Sequence, residues 1–179
     1  MPALGGNIRN KLNILLTGGA GYIGSHTAVA LLREGYTPII FDNYSNSTPY
    51  VIKRLEKITG HEIIAIRGDV NDYNLLADTL QAHQCNAVIH LAAHKSVGES
   101  TRKPLKYFAN NIGGTLTLLS AMEKVGCKKL VFSSSATVYG GAKKSPIDEI
   151  SPLEASNPYT HTKLVAEQIL ASIVGVESD

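Results

Sequence analysis

The amino-acid sequence predicts an α/β fold built around a doubly wound parallel sheet. Short apolar runs alternate along the chain with longer segments of helical spacing, which is the pattern of successive βα units. A turn with glycines at positions 18, 21 and 24 joins the first apolar run to the first helical segment, and Asp42 ends the second run. In a parallel sheet such turns and strand ends lie at one edge, where ligands bind.

The individual elements follow from the spacing of apolar residues and from the residues that end each helix. The predicted strands are Asn13–Thr17, Pro38–Phe41, Glu62–Arg67, Ala87–Leu91 and Lys129–Ser133. The predicted helices are Tyr22–Glu34, Tyr50–Thr59, Tyr73–Ala82, Pro104–Val125 and a last one that begins at Ser156-Asn157-Pro158. Gly35 and Gly126 each follow a helix in the position that favours a left-handed conformation, and Pro158 suits a first helical turn.

The apolar residues of the two longest helices predict which helix faces are buried. In the fourth helix they recur every three or four residues and form one predicted buried stripe, which consists of Phe108, Ile112, Leu116, Leu119 and Met122. In the last helix four apolar side chains are expected to face the sheet, namely Leu164, Val165, Ile169 and Ile173.

The composition is that of one globular domain. Of the 179 residues, 44% are hydrophobic and 18% are charged, which is typical of neither a disordered nor a membrane-spanning chain. The formal net charge of +2, with scattered Lys and Arg, makes no nucleic-acid footprint. We expect a cytoplasmic domain over residues 13–179 after a loose leader over residues 1–12, without nucleic-acid or membrane partners. Its assembly as a homodimer is left open.

The cysteines and histidines predict no metal site. Cys85 and Cys127 form no CxxC pair and stand in apolar contexts, which is typical of buried free thiols in a reducing compartment. None of the six histidines has metal-ligand spacing to Cys or carboxylate partners. We interpret His26, His90 and His94 as packing or loop residues.

The segment TGGAGYIG at residues 17–24 has the spacing of a dinucleotide-binding turn. Gly18 would form the tight turn, Gly21 would admit a pyrophosphate close to the backbone, and Gly24 would let the helix pack on the strand. Free N–H groups and the positive end of the helix dipole would then meet the phosphates. A glycine turn without a ligand is the weaker interpretation, because a strand precedes the turn, a helix follows it and Asp42 lies downstream.

Asp42 predicts NAD as the cofactor of this Rossmann-type fold. A carboxylate at the end of the second strand can accept hydrogen bonds from the adenosine ribose hydroxyls and repels the additional phosphate of NADP. The alternative is an exposed turn residue in the segment DNYSNS at residues 42–47. The position of Asp42 after the glycine turn favours the cofactor role.

Tyr159 and Lys163 predict proton chemistry, because residues four apart lie on one face of a helix. A nearby ammonium and an oxidised nicotinamide both favour the phenolate form of a tyrosine. The segment SSSATVYG at residues 133–140 follows the fifth strand, where α/β sheets present ligand-binding groups, and Ser135 would hydrogen-bond a substrate hydroxyl there. The alternatives are a surface helix pair for Tyr159 and Lys163 and a strand-capping hydroxyl for Ser135.

Together these features resemble the extended short-chain dehydrogenase/reductase family, whose members bind NAD(P) through TGxxGxxG and use a Ser/Thr, Tyr and Lys set. The resemblance runs from about Lys11 to Glu167. Within the family the chain is most similar to the UDP-galactose 4-epimerase subgroup. The matching segments are TGGAGYIGSH at residues 17–26, KSVGES at 95–100, the asparagine pair at 110–111 and SSSATVYG at 133–140.

The resemblance implies a full set of site residues. Beside the glycines at 18, 21 and 24, the implied NAD site comprises Tyr22, Ile23, Asp42, Asn43, Asn46, Ser47, Asp69, Val70, Leu91, Ala92, Lys95, Asn110, Tyr159 and Lys163. Asp69 and Val70 would face adenine, and Lys95 would lie near the nicotinamide. The implied catalytic residues are Ser135, Tyr159 and Lys163.

The implied reaction is epimerisation at C4 of a UDP-hexose, which interconverts UDP-glucose and UDP-galactose. Tyr159 would take the proton of the sugar 4-hydroxyl, directly or through Ser135, while the C4 hydride passes to NAD⁺. Lys163 would hold the nicotinamide ribose. The transient 4-keto sugar would then turn over and receive the hydride on its other face.

Other activities within and outside the family remain as alternatives. Its 4,6-dehydratases carry an Asp-Glu pair where this chain has Ala136-Thr137, so elimination of water is not expected. Another NAD-dependent sugar-nucleotide epimerase or reductase and a non-catalytic NAD-binding module are the remaining alternatives. Family members continue for about as many residues again, with a sixth strand and a smaller domain for the uridine nucleotide. We therefore expect a Rossmann domain truncated before that domain, with the fifth strand at a sheet edge.

Overall fold

A five-stranded parallel sheet forms the centre of the fold in the computed structural model, which describes residues 12–141 and 145–176. The strands are β1 (Asn13–Thr17), β2 (Thr37–Asp42), β3 (Ile64–Arg67), β4 (Ala87–His90) and β5 (Leu130–Phe132). Their order is β3-β2-β1-β4-β5, and every neighbouring pair is parallel. The chain winds outward from β1 in both directions, which confirms the predicted doubly wound sheet. Such sheets bind ligands where the winding reverses, here beside β1.

Seven α-helices lie among the described residues, with a π-helical turn at Phe108–Gly113 and a 3₁₀ turn at Ala136–Tyr139. The α-helices are α1 (Tyr22–Arg33), α2 (Tyr50–Thr59), α3 (Tyr73–Ala82), α4 (Val97–Arg102), α5 (Pro104–Tyr107), α6 (Gly114–Val125) and α7 (Pro158–Val176). The first three agree with the predicted segments. The short helix α4 was not predicted, because six residues with few apolar positions carry no helical periodicity.

Alternate residues of the central strands supply two hydrophobic cores. In β1, Leu15 packs into one core with residues of α3 and α6. Ile14 and Leu16 pack into the other core, which contains Ala28 of α1 and Leu55 of α2. Side chains of a strand alternate between its faces, so helices cover both sides of the sheet, and the strand ends at its edge are left to form a site.

The predicted buried stripe of the fourth helix is confirmed at Met122, which is buried, but is wrong at Leu116. Leu116 is 45% exposed, whereas the neighbouring Thr115 and Leu118 are buried, so the buried face of α6 is displaced by one residue. The buried face already includes Tyr107 and Asn111, before and within the π-helical turn, and continues through Thr115. Polar residues take part in this face because their side chains find buried partners, as Thr115 does with His90, and apolar spacing does not count them.

The predicted orientation of the last helix is also wrong at its end, where Ile173 is 43% exposed. The buried residues of α7 are mostly polar or amphipathic: Tyr159, Thr160, Thr162, Lys163 and Ala166. This face packs against the π-helical turn, α4 and α5. The helix therefore buries the side that carries its chemistry, and its most apolar residues stay half-buried or exposed.

The remaining expectations concern the edges and the cysteines. Strand β5 forms one edge of the described sheet, as predicted, and its Val131 is 61% exposed. Cys85 and Cys127 are free and buried, which confirms that prediction, and burial raises the pKa of both thiols. Residues 1–11 of the predicted leader lie outside the described residues. In the described part of the chain, no helix is both long and apolar enough to cross a bilayer.

Candidate functional site

The glycine turn after β1 has little room for side chains at several positions, among them Gly18 and Gly24. Gly18 has a φ of +69°, and a Cβ added there would lie 2.8 Å from the backbone nitrogen of Ala92. A Cβ on Gly24 would collide with the carbonyl oxygen of Gly18. At Gly21, by contrast, the same atom would meet only that carbonyl oxygen, at 3.2 Å. The fold itself therefore requires glycine at 18 and 24, whereas Gly21 keeps space open in front of the turn.

Two adjoining pockets form a groove along the carboxyl ends of the strands. The first pocket is lined by Gly18, Gly21, Phe41, Asp42, Asn43, Ser45, Asn46, Ser47, Gly68, Val70, Leu91, Ala92, Ala93, His94, Lys95 and Asn110. The second pocket is lined by Gly18, Gly21, Tyr22, Ile23, Gly24, Leu91, Ala93, Lys95, Ser133, Ser134, Tyr159 and Lys163. The two pockets share Gly18 and Gly21, so the glycine turn stands at the middle of the groove.

The groove contains all the predicted site residues except Asp69 and Ser135. Seven lining residues are not predicted by the sequence, namely Phe41, Ser45, Gly68, Ala93, His94, Ser133 and Ser134. Each of these lies within one or two positions of a predicted residue, so proximity to the strand ends was the available signal.

Asp42 connects the end of β2 to the glycine turn. One carboxylate oxygen accepts a hydrogen bond from the Ala20 backbone N–H at 3.0 Å. The other accepts from the Tyr44 backbone N–H at 2.8 Å and from the Ser47 hydroxyl at 3.1 Å. A carboxylate has about four acceptor positions, so Asp42 can both hold the turn and accept a further hydrogen bond from a ligand hydroxyl.

Asp69 acts on the groove through Asn43. Its carboxylate accepts hydrogen bonds from the Asn43 side chain at 2.9 Å and from the backbone and side chain of Asn71 at 2.9 and 2.8 Å. Burial by itself raises the pKa of Asp69, but these hydrogen bonds and the charge of His94 outweigh it and leave the pKa below its usual value. Asp69 is thus an ionised support for Asn43 at neutral pH.

Tyr107 anchors the loop that carries Lys95. Its fully buried ring brings the phenol within 3.1 Å of the Ser96 backbone N–H, from which it accepts a hydrogen bond. The phenol in turn donates to the Glu99 carboxylate at 2.9 Å, and Glu99 pairs with Lys106 at 2.8 Å. These contacts hold the start of α4 beside the groove.

Lys163 is 5% exposed and faces the second pocket from α7. Its ammonium donates to the Ser133 carbonyl oxygen at 2.7 Å and lies 4.7 Å from the centre of the Phe132 ring. Burial lowers the pKa of Lys163 to about 8, the charge of Lys95 acts in the same direction, and Glu167 opposes the shift. Two of its three N–H donors remain for a ligand.

Ser135 and Ser134 occupy different environments. The Ser135 hydroxyl lies 2.8 Å from the Thr137 hydroxyl and accepts from the Thr137 backbone N–H at 3.3 Å, so it caps the 3₁₀ turn. Its neighbour Ser134 lines the second pocket beside Tyr159. Among the described residues, the Ser134 hydroxyl oxygen is buried without a hydrogen-bond partner, which marks it as a group that a ligand would satisfy.

His90 lies behind the second pocket at the end of β4. It is 2% exposed, with Nδ1 2.6 Å from the Thr17 hydroxyl and Nε2 3.1 Å from the Thr115 hydroxyl. Burial lowers the pKa of His90 to about 3, and the charge of Lys163 acts in the same direction. The imidazole is therefore neutral at physiological pH.

The neutral His90 predicts a loss of stability in mild acid. Its pKa is lower in the folded state than the ordinary value of about 6.5, so its contribution is complete above that value and is lost as the pH falls towards 3. At pH 5 the expected loss is about 2 kcal/mol. We would measure urea unfolding at pH 7 and 5 for the parent and for His90→Asn. The pKa of His94 is lowered as well, so the difference between the two proteins isolates the contribution of His90. A free energy of unfolding that depends equally on pH in both proteins would contradict the prediction.

The sheet order, the glycine turn and the Tyr-Lys face of α7 define a Rossmann-type domain of the short-chain dehydrogenase/reductase class. The chain belongs to the family described as GDP-mannose 4,6 dehydratase, whose model matches residues 15–174. In the described residues, no three His, Cys, Asp or Glu side chains come together as a metal site.

The chain is similar to UDP-glucose 4-epimerases. It is 54% identical to the enzyme of Dictyostelium discoideum over 160 residues, and this alignment covers 89% of the chain and 46% of the relative. It is 51% identical to the enzyme of Bacillus subtilis, with 89% and 47% covered. The chain therefore spans about half the length of these curated relatives.

Solved structures give the same picture. The Stenotrophomonas maltophila UDP-glucose 4-epimerase, crystallised with NAD and formylated UDP-arabinopyranose, matches with a TM-score of 0.91 and 46% identity over 93% of this chain and 49% of that one. The Bifidobacterium longum enzyme in complex with NAD⁺ and UDP matches with a TM-score of 0.88 and 46% identity, covering 90% of this chain and 48% of that one.

Proposed function

We propose that the groove binds NAD and that Tyr159 and Lys163 catalyse epimerisation at C4 of a UDP-hexose, interconverting UDP-glucose and UDP-galactose. The single observation that carries the proposal is the continuity of the groove. Asp42 lines one pocket, Tyr159 and Lys163 line the other, and the glycine turn is common to both. The similarity to UDP-glucose 4-epimerases, two of which were solved with NAD, supports it.

The residues of the groove fit a dinucleotide. The space in front of Gly21 suits a pyrophosphate, which the backbone N–H groups at the start of α1 would bind. Asp42 would accept from the adenosine ribose, and Asn43, which Asp69 holds in place, would lie near it. When bound, NAD supplies the acceptor and donor of the hydride at sugar C4.

At the other end, Tyr159 would take and return the proton of the sugar 4-hydroxyl. Lys163 keeps a positive charge beside it at neutral pH and has two N–H donors for the nicotinamide ribose, because Ser133 occupies only one. We retain Ser135 in the proposal as the hydroxyl that links Tyr159 to substrate, which requires its side chain to leave Thr137. The unsatisfied Ser134 hydroxyl is a further candidate for ligand contact.

The alternatives are weaker on specific residues. A dehydratase needs an additional acid and base, but Ala136 and Thr137 occupy the positions of the Asp-Glu pair of those enzymes. A non-catalytic NAD-binding module has no use for a buried lysine beside a tyrosine on one helix face. A reductase of the same family would be distinguished by its use of the cofactor, since it would consume NADH, whereas an epimerase regenerates NAD⁺ in each cycle.

NAD should bind at least about tenfold more tightly than NADP, a difference of about 1.4 kcal/mol. The reason is that the Asp42 carboxylate would face the 2′-phosphate of NADP, and like charges repel. Calorimetric titration of both cofactors provides the measurement, with Asp42→Asn as the matched variant. The variant removes the charge but keeps an acceptor oxygen, so the difference between the cofactors should narrow. Tighter binding of NADP by the parent would overturn the assignment.

The 179-residue chain by itself should interconvert UDP-glucose and UDP-galactose slowly or not at all. The groove provides only the proposed cofactor site. Firm positioning of a substrate contributes roughly 7–11 kcal/mol of barrier reduction. The relatives are about twice as long as this chain, and we expect the residues that position the sugar nucleotide in their additional part. A coupled assay with UDP-galactose tests this expectation. Turnover at roughly 1–1000 per second, as in ordinary enzymes, would contradict it.

A cytoplasmic location and a homodimer belong to the same proposal. Exposed apolar residues on α6 and α7, Leu116 and Ile173 among them, support self-association. Analytical ultracentrifugation of the purified chain would determine the oligomeric state, and a monomer at all concentrations would remove the homodimer from the proposal.

A further inference from the structure

A chain of buried hydrogen bonds crosses the fold behind the groove, with His90 at its centre. The three side chains that form it, Thr17 on β1, His90 on β4 and Thr115 on α6, are almost completely buried. They lie on different elements and far apart in sequence, so the hydrogen bonds join β1, which leads into the glycine turn, to β4 and α6.

The direction of every bond in this chain is determined by its neighbours. The Thr115 hydroxyl donates to the Asn111 carbonyl oxygen at 2.6 Å, and because a hydroxyl has a single hydrogen, it must accept from His90 Nε2 at 3.1 Å. A neutral imidazole carries one proton, so Nδ1 accepts from the Thr17 hydroxyl at 2.6 Å. The buried position, which lowers the pKa of His90, agrees with this neutral tautomer.

One end of the chain fixes the glycine turn. Thr17 immediately precedes Gly18, and its hydroxyl oxygen is 3.4 Å from the Ala92 backbone N–H, which donates to it. Gly18 approaches Ala92 so closely that no side chain fits between them. The Thr17 hydroxyl, held by His90, therefore sets the distance between the two walls of the groove.

The other end reaches the helix that carries Tyr159. The Asn111 side chain donates to the Thr162 hydroxyl at 3.0 Å, and that hydroxyl donates to the Tyr159 carbonyl oxygen at 2.7 Å. Asn111 also bonds both the backbone N–H and the carbonyl of His94, at 2.8 and 2.9 Å. Asn111 lies in the π-helical turn, a feature frequent at functional sites.

We infer that His90 is a positioning residue for the NAD site: by accepting the hydrogen bond of the Thr17 hydroxyl it holds the glycine turn at the spacing that the cofactor needs, and Thr115 fixes the tautomer that makes Nδ1 the acceptor. The inference rests on the proposed function and deepens it. His90 does not line either pocket, so it acts through Thr17 and not by direct contact with a ligand.

Two substitutions separate positioning from simple packing. In His90→Asn the side-chain oxygen lies as many bonds from Cβ as Nδ1 does, so it can still accept from Thr17. In His90→Gln the amide reaches the Nε2 position, towards Thr115, and leaves Thr17 without its acceptor. Calorimetric titration of the full chain with NAD should give an affinity within about threefold of the parent for His90→Asn and about tenfold weaker for His90→Gln, since one buried unsatisfied group is enough for a tenfold change.

A second pair of substitutions, at Thr17, tests the same hydrogen bond if a His90 variant does not fold. Thr17→Val keeps the shape of the side chain and removes the hydroxyl, so it should weaken NAD binding about tenfold, and Thr17→Ser should restore it. For all four variants we would also measure the thermal unfolding temperature. A purely structural role of His90 and Thr17 would lower that temperature without making the NAD affinities of the two variants in each pair differ.

The tautomer provides an independent measurement on the parent without cofactor. Nitrogen-15 NMR should show a protonated Nε2 and a bare Nδ1 for His90; the opposite tautomer would overturn the inference. Equal NAD affinities in His90→Asn, His90→Gln and the parent would overturn this inference and leave the proposed function standing. A parent chain that does not bind NAD would instead overturn the proposed function together with this inference, so the two failures are distinct.

Discussion

Replacing Gly21 with valine is expected to abolish NAD binding, with a loss of affinity of at least about 100-fold, or about 2.7 kcal/mol, while the chain stays folded. The backbone at Gly21 has φ −71° and ψ 176°, an extended conformation that valine adopts readily. An added Cβ would meet only the Gly18 carbonyl oxygen, at 3.2 Å. The valine methyl groups would instead occupy the part of the groove proposed for the pyrophosphate, and they would keep it away from the N–H groups of α1.

Cofactor titration and circular dichroism on the same sample test this result. Gly98→Val is the matched control, because a Cβ at Gly98 in α4 meets nothing within 4 Å, and it should leave NAD affinity unchanged. Gly24→Val should behave in the opposite way and reduce folding itself, since the side chain would collide with the turn. Retained affinity in Gly21→Val would mean that the phosphates bind elsewhere.

Tyr159→Phe is expected to lower 4-epimerase turnover by roughly 10²–10⁴-fold, the usual contribution of a general base, with NAD affinity changed by less than about threefold. The ring of Tyr159 is buried in the second pocket and would remain there as phenylalanine, so only the proton-transfer group is lost. Lys163→Met should weaken both turnover and NAD binding, because its ammonium is assigned to the ribose as well as to the phenol.

The measurement needs a protein with a complete sugar site. A chimera of this chain with the remaining half of the Bacillus subtilis relative, which is 51% identical over the shared part, provides one. Tyr36→Phe is the matched control, since Tyr36 is exposed and lies outside both pockets. Unchanged turnover in Tyr159→Phe would remove the proposed mechanism.

Local signals in the sequence predicted which residues meet at the glycine turn and on the Tyr-Lys face of the last helix. The three glycines and Asp42 are read from spacing within single βα units, and parallel strands bring their ends to one edge without further information. Tyr159 and Lys163 share a helix face for the same local reason. These residues line one groove in the structure, as the sequence analysis expected.

Features that depend on several elements were not predicted. Asp69 bonds Asn43 and is not among the residues that line the two pockets. Ser135 caps the 3₁₀ turn, while its neighbour Ser134 lines the second pocket. The roles of Asp69 and Ser135 toward cofactor and substrate stay predictions. Whether a strand-end side chain faces the groove depends on the local turn that follows the strand, and apolar spacing carries no information about that turn.

His90 shows the same limit most clearly. From the sequence, His90 is predicted to be a packing or loop residue, because it has no metal-ligand spacing to Cys or carboxylate partners. Its bonds to Thr17 and Thr115 join residues 73 and 25 positions away, and only the assembled sheet and α6 bring them together.

By itself, then, the sequence determined the α/β class, the parallel sheet, the glycine turn, Asp42 and the Tyr-Lys pair, because each depends on periodicity or spacing within one segment. The tertiary structure decided which faces of α6 and α7 are buried, which serine enters the pocket and how His90 is bonded. The physical reason is that a buried polar group takes its partner from whichever element packs against it, and the buried faces of α6 and α7 include polar residues such as Thr115 and Thr162, which the apolar pattern does not record.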